Sequence, residues 1–223
     1  MDLQNRTEKK KVLNDRKRMS EKLGIPLANW IGGRQSHGTN IEIVGKDDSG
    51  KGSVSLQNAL KSTDGIITKD KNILLTAYFA DCVPIYFFDP VKNIIGIVHA
   101  GWRGTIQKIT KKMVEKFTEL GAIPSELLVV IGPCISRQSY EVSKDIIQRI
   151  DREYREKTMV ETEDNRFFLD LKKLNVEILL QSGVLRHNID MTSFCTYSNN
   201  DLFFSYRRDK GKTGRMLGYI GMF

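Results

Sequence analysis

Three short segments carry the residues best suited to chemistry. They are Gln35-Ser36-His37-Gly38-Thr39-Asn40, Ala80-Asp81-Cys82-Val83-Pro84 and Val98-His99-Ala100-Gly101-Trp102-Arg103-Gly104-Thr105. The chain has only three histidines and three cysteines. Two of the histidines and one of the cysteines sit in these segments, beside small or polar residues where apolar runs end. Imidazole and thiolate are the ligands zinc prefers, and three protein ligands leave a fourth position open, as a catalytic site requires. The spacing is not diagnostic alone: His37, Cys82 and His99 lie far apart in sequence, unlike the compact pattern of a zinc finger. Two other readings stay open. Cys82 and His99 could form the thiolate–imidazole pair of a cysteine hydrolase, which leaves His37 without a role. Alternatively, Cys82 is a core thiol and the histidines are ordinary loop residues.

Neighbouring residues extend the metal reading. Asp81 could act as a general acid/base that is not itself a ligand, hold a ligand histidine in its tautomer, or simply cap a strand end. Arg103, with Gly104 and Thr105, opens a predicted helix directly after His99. Free N–H groups at a helix start and a guanidinium fork both suit an anion. Asn40 lies three residues after His37 and could contact a sugar or base. Of Arg207 and Arg208, at most one should face a single site if the segment is extended. Cys134 and Cys195 read as small core residues, and His187 has no partner nearby in sequence. The run Gly45-Lys46-Asp47-Asp48-Ser49-Gly50-Lys51-Gly52 nearly spells a P-loop, but Gly52 stands where Ser or Thr must reach magnesium, and two aspartates would face the phosphates.

The elements that must position these residues can be read from periodicity. Val12, Leu13, Met19 and Leu23 mark an amphipathic helix from Lys10 to Leu23, stopped by Gly24 and Pro26. Asn29 to Arg34 leads as a short strand into the His37 loop, and Asn40 to Val44 forms a second strand. Gly45 to Lys61 reads as a loop or short helix. Short apolar runs at Ile66–Thr68, Ile73–Phe79, Val83–Phe88 and Ile94–Val98 are strands, the last two joined as a hairpin through Asp89-Pro90-Val91-Lys92-Asn93. Such a hairpin can bring Cys82 and His99 together at its base. Ile106, Ile109, Met113, Val114, Phe117 and Leu120 give one apolar face to a helix from Trp102 to Leu120, capped by Gly121. Leu127–Ile131 is a buried strand. Ser143 N-caps a helix that turns Ile146, Ile147, Ile150 and Tyr154 inward. Phe167–Leu169 is a strand, followed by a helix from Asp170 to Gln181 that Gly183 ends. Ser193–Thr196, Phe203–Tyr206 and Met216–Ile220 complete the strands. Helices and strands are mixed without repeat or linker, which predicts a single α+β domain over residues 1–223.

At 223 residues and 40% hydrophobic composition, the chain can bury a substantial core. No apolar run approaches a membrane span, and the polar, basic N-terminus does not read as a secretory signal. Three unclustered cysteines make no disulfide framework, so a reducing cytoplasm fits. The formal net charge of +8 suggests an anionic partner, whether nucleic acid, phosphate or an acidic ligand, but the first reading of the excess is solvated helix faces. The basic residues are dispersed rather than interleaved with aromatics, so a dedicated nucleic-acid protein is not expected.

These segments, together with Ile131-Gly132-Pro133, Tyr140-Glu141-Val142 and Phe204-Ser205-Tyr206-Arg207-Arg208-Asp209, closely resemble the YfiH/YlmD family, also called laccase-domain or polyphenol-oxidase-like proteins. The resemblance runs from about Val12 to the C-terminus. It implies a four-layer α/β/β/α sandwich, monomeric or dimeric, with zinc on His37, Cys82 and His99. It also implies purine nucleosides and phosphate as substrates. Adenosine, inosine and methylthioadenosine would be split to free base and the sugar 1-phosphate, and adenosine would also be deaminated. An older reading of the family is a copper-dependent phenol oxidase, so copper is the alternative metal. A multicopper centre needs more histidines than three. A metal-free hydrolase and a non-enzymatic anion-binding module are the remaining alternatives. Relatives usually begin with a strand-forming segment before the first helix, and this chain is expected to lack it.

Overall fold

The computed structural model describes residues 9–223. Its elements, in chain order, begin with α1 (Lys9–Leu23), β1 (Trp30–Gly32), β2 (Ile41–Ile43), β3 (Gly65–Thr68), β4 (Ile73–Phe79), β5 (Val83–Asp89) and β6 (Ile94–Ala100). They continue through α2 (Trp102–Ile106), α3 (Ile109–Glu119), β7 (Leu128–Ile131), β8 (Glu141–Val142), α4 (Lys144–Gln148) and α5 (Arg152–Thr158). The last are β9 (Met159–Glu161), β10 (Phe167–Leu169), α6 (Leu171–Gln181), β11 (Ile189–Met191) and β12 (Met216–Met222).

Two sheets form the centre: a six-stranded sheet ordered β11-β7-β5-β6-β3-β2 and a three-stranded sheet ordered β1-β4-β12. Alternation along β4 explains why they stack. Ile73, Leu75, Ala77 and Phe79 point one way and join Ile66, Ile95 and Ile97 of the larger sheet in one apolar layer. Leu74 points the other way and packs with Trp30, Ile25, Met19 and Leu23 beneath α1. On the far face of the larger sheet, Val83, Ile85, Phe87, Val98, Val129 and Ile131 meet Met113, Val114 and Phe117 of α3 and Leu174, Ile178 and Leu179 of α6. The order from outside to outside is therefore helix, small sheet, large sheet, helices, as the resemblance implies. A small sheet, β8-β10-β9, sits to one side. Among the described residues, no helix is long and apolar enough to cross a membrane.

The predicted hairpin is present. Asp89 caps its turn by accepting from the N–H groups of Val91 and Lys92, each at 2.8 Å. In its register Val83 pairs with Ala100 and Pro84 with His99. The glycine stops also hold: Gly24, Gly121 and Gly183 adopt φ of +69°, +90° and +90°.

Three expectations are corrected. The predicted Trp102–Leu120 helix is broken into α2 and α3, because Lys108 adopts the left-handed conformation at φ 59°. A buried polar trio holds this elbow. Asn175 of α6 donates to Thr105 Oγ1 at 3.1 Å and accepts from Thr110 Oγ1 at 3.3 Å. Periodicity reports the apolar face but not this polar clamp. Likewise, the helix after Ser143 breaks at Ile150, where the Arg155 side chain takes the carbonyls of Ile150 and Gln148. Finally, Ser193–Thr196 and Phe203–Tyr206 are not strands; the stretch is a long loop whose β-type pairing is limited to one isolated bridge, Cys134 to Cys195. Cationic side chains, not a ladder, satisfy its carbonyls. Lys172 Nζ donates to Thr192 and Phe194, and Arg208 donates to Thr196, Tyr197 and Phe203.

Candidate metal centre

The predicted triad converges. The ligand atoms of His37, Cys82 and His99 all lie within 4.8 Å of one another. His99 is the penultimate residue of β6, facing the layer between the sheets, where its ring lies 5.6 Å from that of Phe79. Cys82 sits in the tight β4–β5 connection, which Asp81 makes possible by taking φ of 86°. His37 is exposed on the loop after β1, at φ 60°, with its ring edge-on to His99 at 4.8 Å. Gly101 closes the base: a Cβ there would stand 3.0 Å from the His37 ring and 3.1 Å from Cys82 Sγ. Gly101→Ala is therefore expected to push the two ligands apart and weaken metal binding about tenfold, read by competition with a chromophoric chelator. Unchanged affinity would show that the cradle is not needed.

Asp64, which sequence reasoning missed, is hydrogen-bonded to both histidine-bearing segments. It immediately precedes β3 and is buried, with 3% of its surface exposed. Its Oδ1 accepts from His99 Nδ1 at 2.8 Å and from the His37 N–H at 3.0 Å. Its Oδ2 accepts from the N–H groups of Ser36 and Gly38 and from the Ser36 hydroxyl, at 3.0, 2.9 and 3.0 Å. Burial works against this carboxylate's charge, but the bond and charge of His99 and the N–H groups of Ser36 and Gly38 outweigh it and lower its pKa. An acidic residue inside Thr63-Asp64-Gly65-Ile66-Ile67, at the mouth of an apolar run, was the signal available in sequence.

Burial pushes the Cys82 thiol up, yet the charge of His99 and hydrogen bonds to His37 and His99 bring it down to about 6. Burial likewise pulls His99 down, and the Cys82 charge with the Asp64 hydrogen bond raises it to about 9. Without metal the two thus form a thiolate–imidazolium pair near neutrality. A thiolate alkylates and a thiol does not, so reaction falls as pH drops below the thiol pKa. Iodoacetamide should label Cys82 of the metal-free protein with a midpoint at about pH 6, and zinc should protect it. A midpoint near the ordinary thiol range would contradict this electrostatic account. Burial holds the Cys134 thiol well above that range.

The cluster opens into a cavity of about 420 Å³. Arg103, Arg207 and Arg215 give its wall positive charge, and Trp102, Tyr78, Tyr140 and Tyr206 give it flat apolar surface. The guanidinium of Arg103 lies 4.5 Å from the Trp102 ring and that of Arg207 5.1 Å from Tyr140. Arg207 lines the cavity while Arg208 turns away to bind loop carbonyls, so one of the two faces the site. A turn, not strand alternation, separates them.

The other predicted residues divide. Asp81 lines the cavity, but both its oxygens are occupied: Oδ1 accepts from Thr196 Oγ1 at 2.6 Å and Oδ2 from the Arg207 N–H at 2.7 Å. It fastens the long C-terminal loop beside Cys82, and it is Asp64 that holds the histidine. Asn40, Gly104 and Thr105 do not line the cavity. Asn40 Nδ2 is turned to Glu42 and Thr63. Gly104 lets α2 approach the His37 loop, since a Cβ there would meet the Gly38 carbonyl at 2.8 Å. Thr105 is fully buried and committed to Asn175. The near-P-loop is also structural. Gly52 and Ser53 give their carbonyls to buried Arg16, and Lys51 pairs with Asp48 at 2.6 Å.

Residues 1–223 match the family model described as multi-copper polyphenol oxidoreductase laccase. The purine nucleoside phosphorylase YlmD of Bacillus subtilis is 40% identical over 214 residues, covering 95% of this chain and 77% of the relative. A purine nucleoside phosphorylase of Staphylococcus epidermidis is 41% identical over 201 residues, covering 89% of this chain and 75% of the relative. The crystal structure of the hypothetical protein YfiH from Bacillus licheniformis superposes with a TM-score of 0.94 at 37% identity, over 96% of this chain and 82% of that one. YlmD from Geobacillus stearothermophilus gives 0.91 at 38% identity, over 96% and 81%. The chain belongs to the YfiH/YlmD laccase-domain family.

Proposed function

We propose that this chain is a zinc-dependent purine nucleoside phosphorylase that also deaminates adenosine. The observation that carries the reading is the His37–Cys82–His99 cluster at the edge of a cavity whose walls combine three arginines with flat aromatic rings. Relatives at about the same identity carry the phosphorylase name. The donor set fits zinc: two imidazoles and a thiolate, with Asp64 engaging one nitrogen of His99 and so leaving the other for a metal. Bound to these residues, zinc supplies Lewis acidity and a water acidified toward neutrality.

The chain's own residues supply the rest. Arg103, Arg207 and Arg215 bind the phosphate dianion and hold it against the sugar. Tyr140, Tyr206 and Trp102 stack on the base and exclude water. Phosphate oxygen then bonds to the anomeric carbon as the N-glycosidic bond breaks. The pair of electrons leaves with the base, which takes up a proton, and ribose 1-phosphate remains. In deamination, water adds at purine C6 and ammonia leaves. Asp81 keeps Arg207 in place through its backbone N–H. Asn40, Gly104 and Thr105 act through the fold rather than on the substrate.

The test is product analysis by mass for zinc-loaded protein given adenosine with and without phosphate, with His99→Ala as control. Phosphate-dependent adenine and ribose 1-phosphate, absent in the variant, are the expected result. Inosine formed without phosphate supports the deaminase arm. Neither product from fully zinc-loaded protein would refute the purine assignment.

A second reading has one specific observation behind it: Asp64, His99 and Cys82 lie in a row like the carboxylate, imidazole and nucleophile of a cysteine hydrolase. It gives no part to His37, whose ring is set against the same thiol. A purified protein free of metal with hydrolytic activity lost on Cys82 alkylation would favour it. A multicopper oxidase centre is disfavoured by the one three-ligand cluster found among the described residues.

A further inference from the structure

We infer that Asp64 is a positioning residue that sets both histidines of the cluster as one unit. The inference rests on the metal reading above and goes beyond the ligands to what aims them. Three features carry it. Asp64 is buried, yet every hydrogen bond it makes goes to the two segments that bear histidines or to the residues flanking them. Its Oδ1 is shared between His99 Nδ1 and the His37 N–H, so moving it disturbs both rings together. Its own backbone carbonyl accepts from the His99 N–H at 2.7 Å, tying the side chain to the strand that carries the second ligand.

The chemistry of the contact fixes the histidine. A carboxylate only accepts, so His99 Nδ1 keeps its proton, and Nε2, which gives up its own proton when metal binds, is the nitrogen left to serve as ligand. The His37 loop is held differently. Three consecutive N–H groups, from Ser36 to Gly38, converge on the two oxygens and impose the left-handed turn at His37. An isosteric amide cannot serve both purposes. Asn offers one accepting oxygen, and its NH2 would face either the N–H groups of the loop or the imidazole Nδ1–H.

Asp64→Asn in the full chain should therefore lower zinc affinity about 10- to 100-fold, measured by chelator competition on protein shown folded by circular dichroism. Histidine 15N NMR of the zinc-loaded wild type should show His99 with its proton on Nδ1 and its metal-bound nitrogen at Nε2. This signature should be lost in Asp64→Asn. A merely structural Asp64 would lower the unfolding temperature but leave the tautomer and the affinity of folded protein unchanged. Affinity within about threefold of wild type, or a wild-type His99 protonated at Nε2, overturns the inference. If Asp64→Asn fails to fold, the wild-type spectrum still tests the inference, because a proton on Nε2 overturns it without the variant. Wild-type protein that takes up no zinc overturns the metal reading itself, whereas zinc uptake unaffected by Asp64→Asn overturns only the role given to Asp64.

Discussion

Replacing Cys82 by alanine should reduce phosphate-dependent cleavage of adenosine by about 10³-fold or more, a loss of about 4 kcal/mol of transition-state stabilisation. The expectation follows from the donor geometry. With the thiolate gone, two imidazoles remain, one exposed on a loop and one in β6, and neither the anionic donor nor the third ligand position is replaced. The fold should survive, because Cys82 is only partly buried in a connection that Asp81 holds through Thr196, Arg207 and the Ile135 N–H. Steady-state kinetics with zinc in excess measures it. If Cys82→Ala kept activity within tenfold of wild type, the thiolate would not be part of the reacting centre.

The largest expected stability effect lies on the opposite face of the same sheet. Phe117→Ala should cost about 3–5 kcal/mol, out of the roughly 5–15 kcal/mol that a domain commands. Phe117 is fully buried, its ring centroid is 5.8 Å from that of Phe87, and Gly96 of β6 lies directly beneath it. A Cβ at Gly96 would come within 2.9 Å of the Phe117 ring, so the two positions are cut to fit and the space left by alanine cannot collapse easily. Urea unfolding read by fluorescence provides the number. A cost below about 1 kcal/mol would mean that α3 is not seated on the sheet as described.

What the sequence made legible follows from periodicity and from chemistry that needs rare residues. The hairpin that joins Cys82 to His99 was readable because Asp89-Pro90-Val91-Lys92-Asn93 interrupts the apolar runs Val83–Phe88 and Ile94–Val98, and its register does bring the two residues to one end. With only three histidines and three cysteines, the ligands had few alternatives. The failures share a cause. The elbow at Lys108 depends on Asn175 reaching Thr105 and Thr110, and the C-terminal loop depends on Lys172 and Arg208 capping its carbonyls. Most of these side-chain bonds span 12 to 70 positions, and such bonds leave no local trace in a chain read segment by segment. For the same reason Asn40 and Thr105, polar residues near the ligands in sequence, are spent on the fold. Asp64 and Tyr140, distant from them in sequence, belong to the site.

The most direct test of the central claim is a zinc titration of chelator-stripped protein, following ribose 1-phosphate formed from adenosine and phosphate. Negligible turnover is expected without metal, with a rate that rises in proportion to bound zinc and saturates at one ion for the His37–Cys82–His99 cluster. Full activity in protein that holds no metal, or no ribose 1-phosphate at full zinc occupancy, would contradict it.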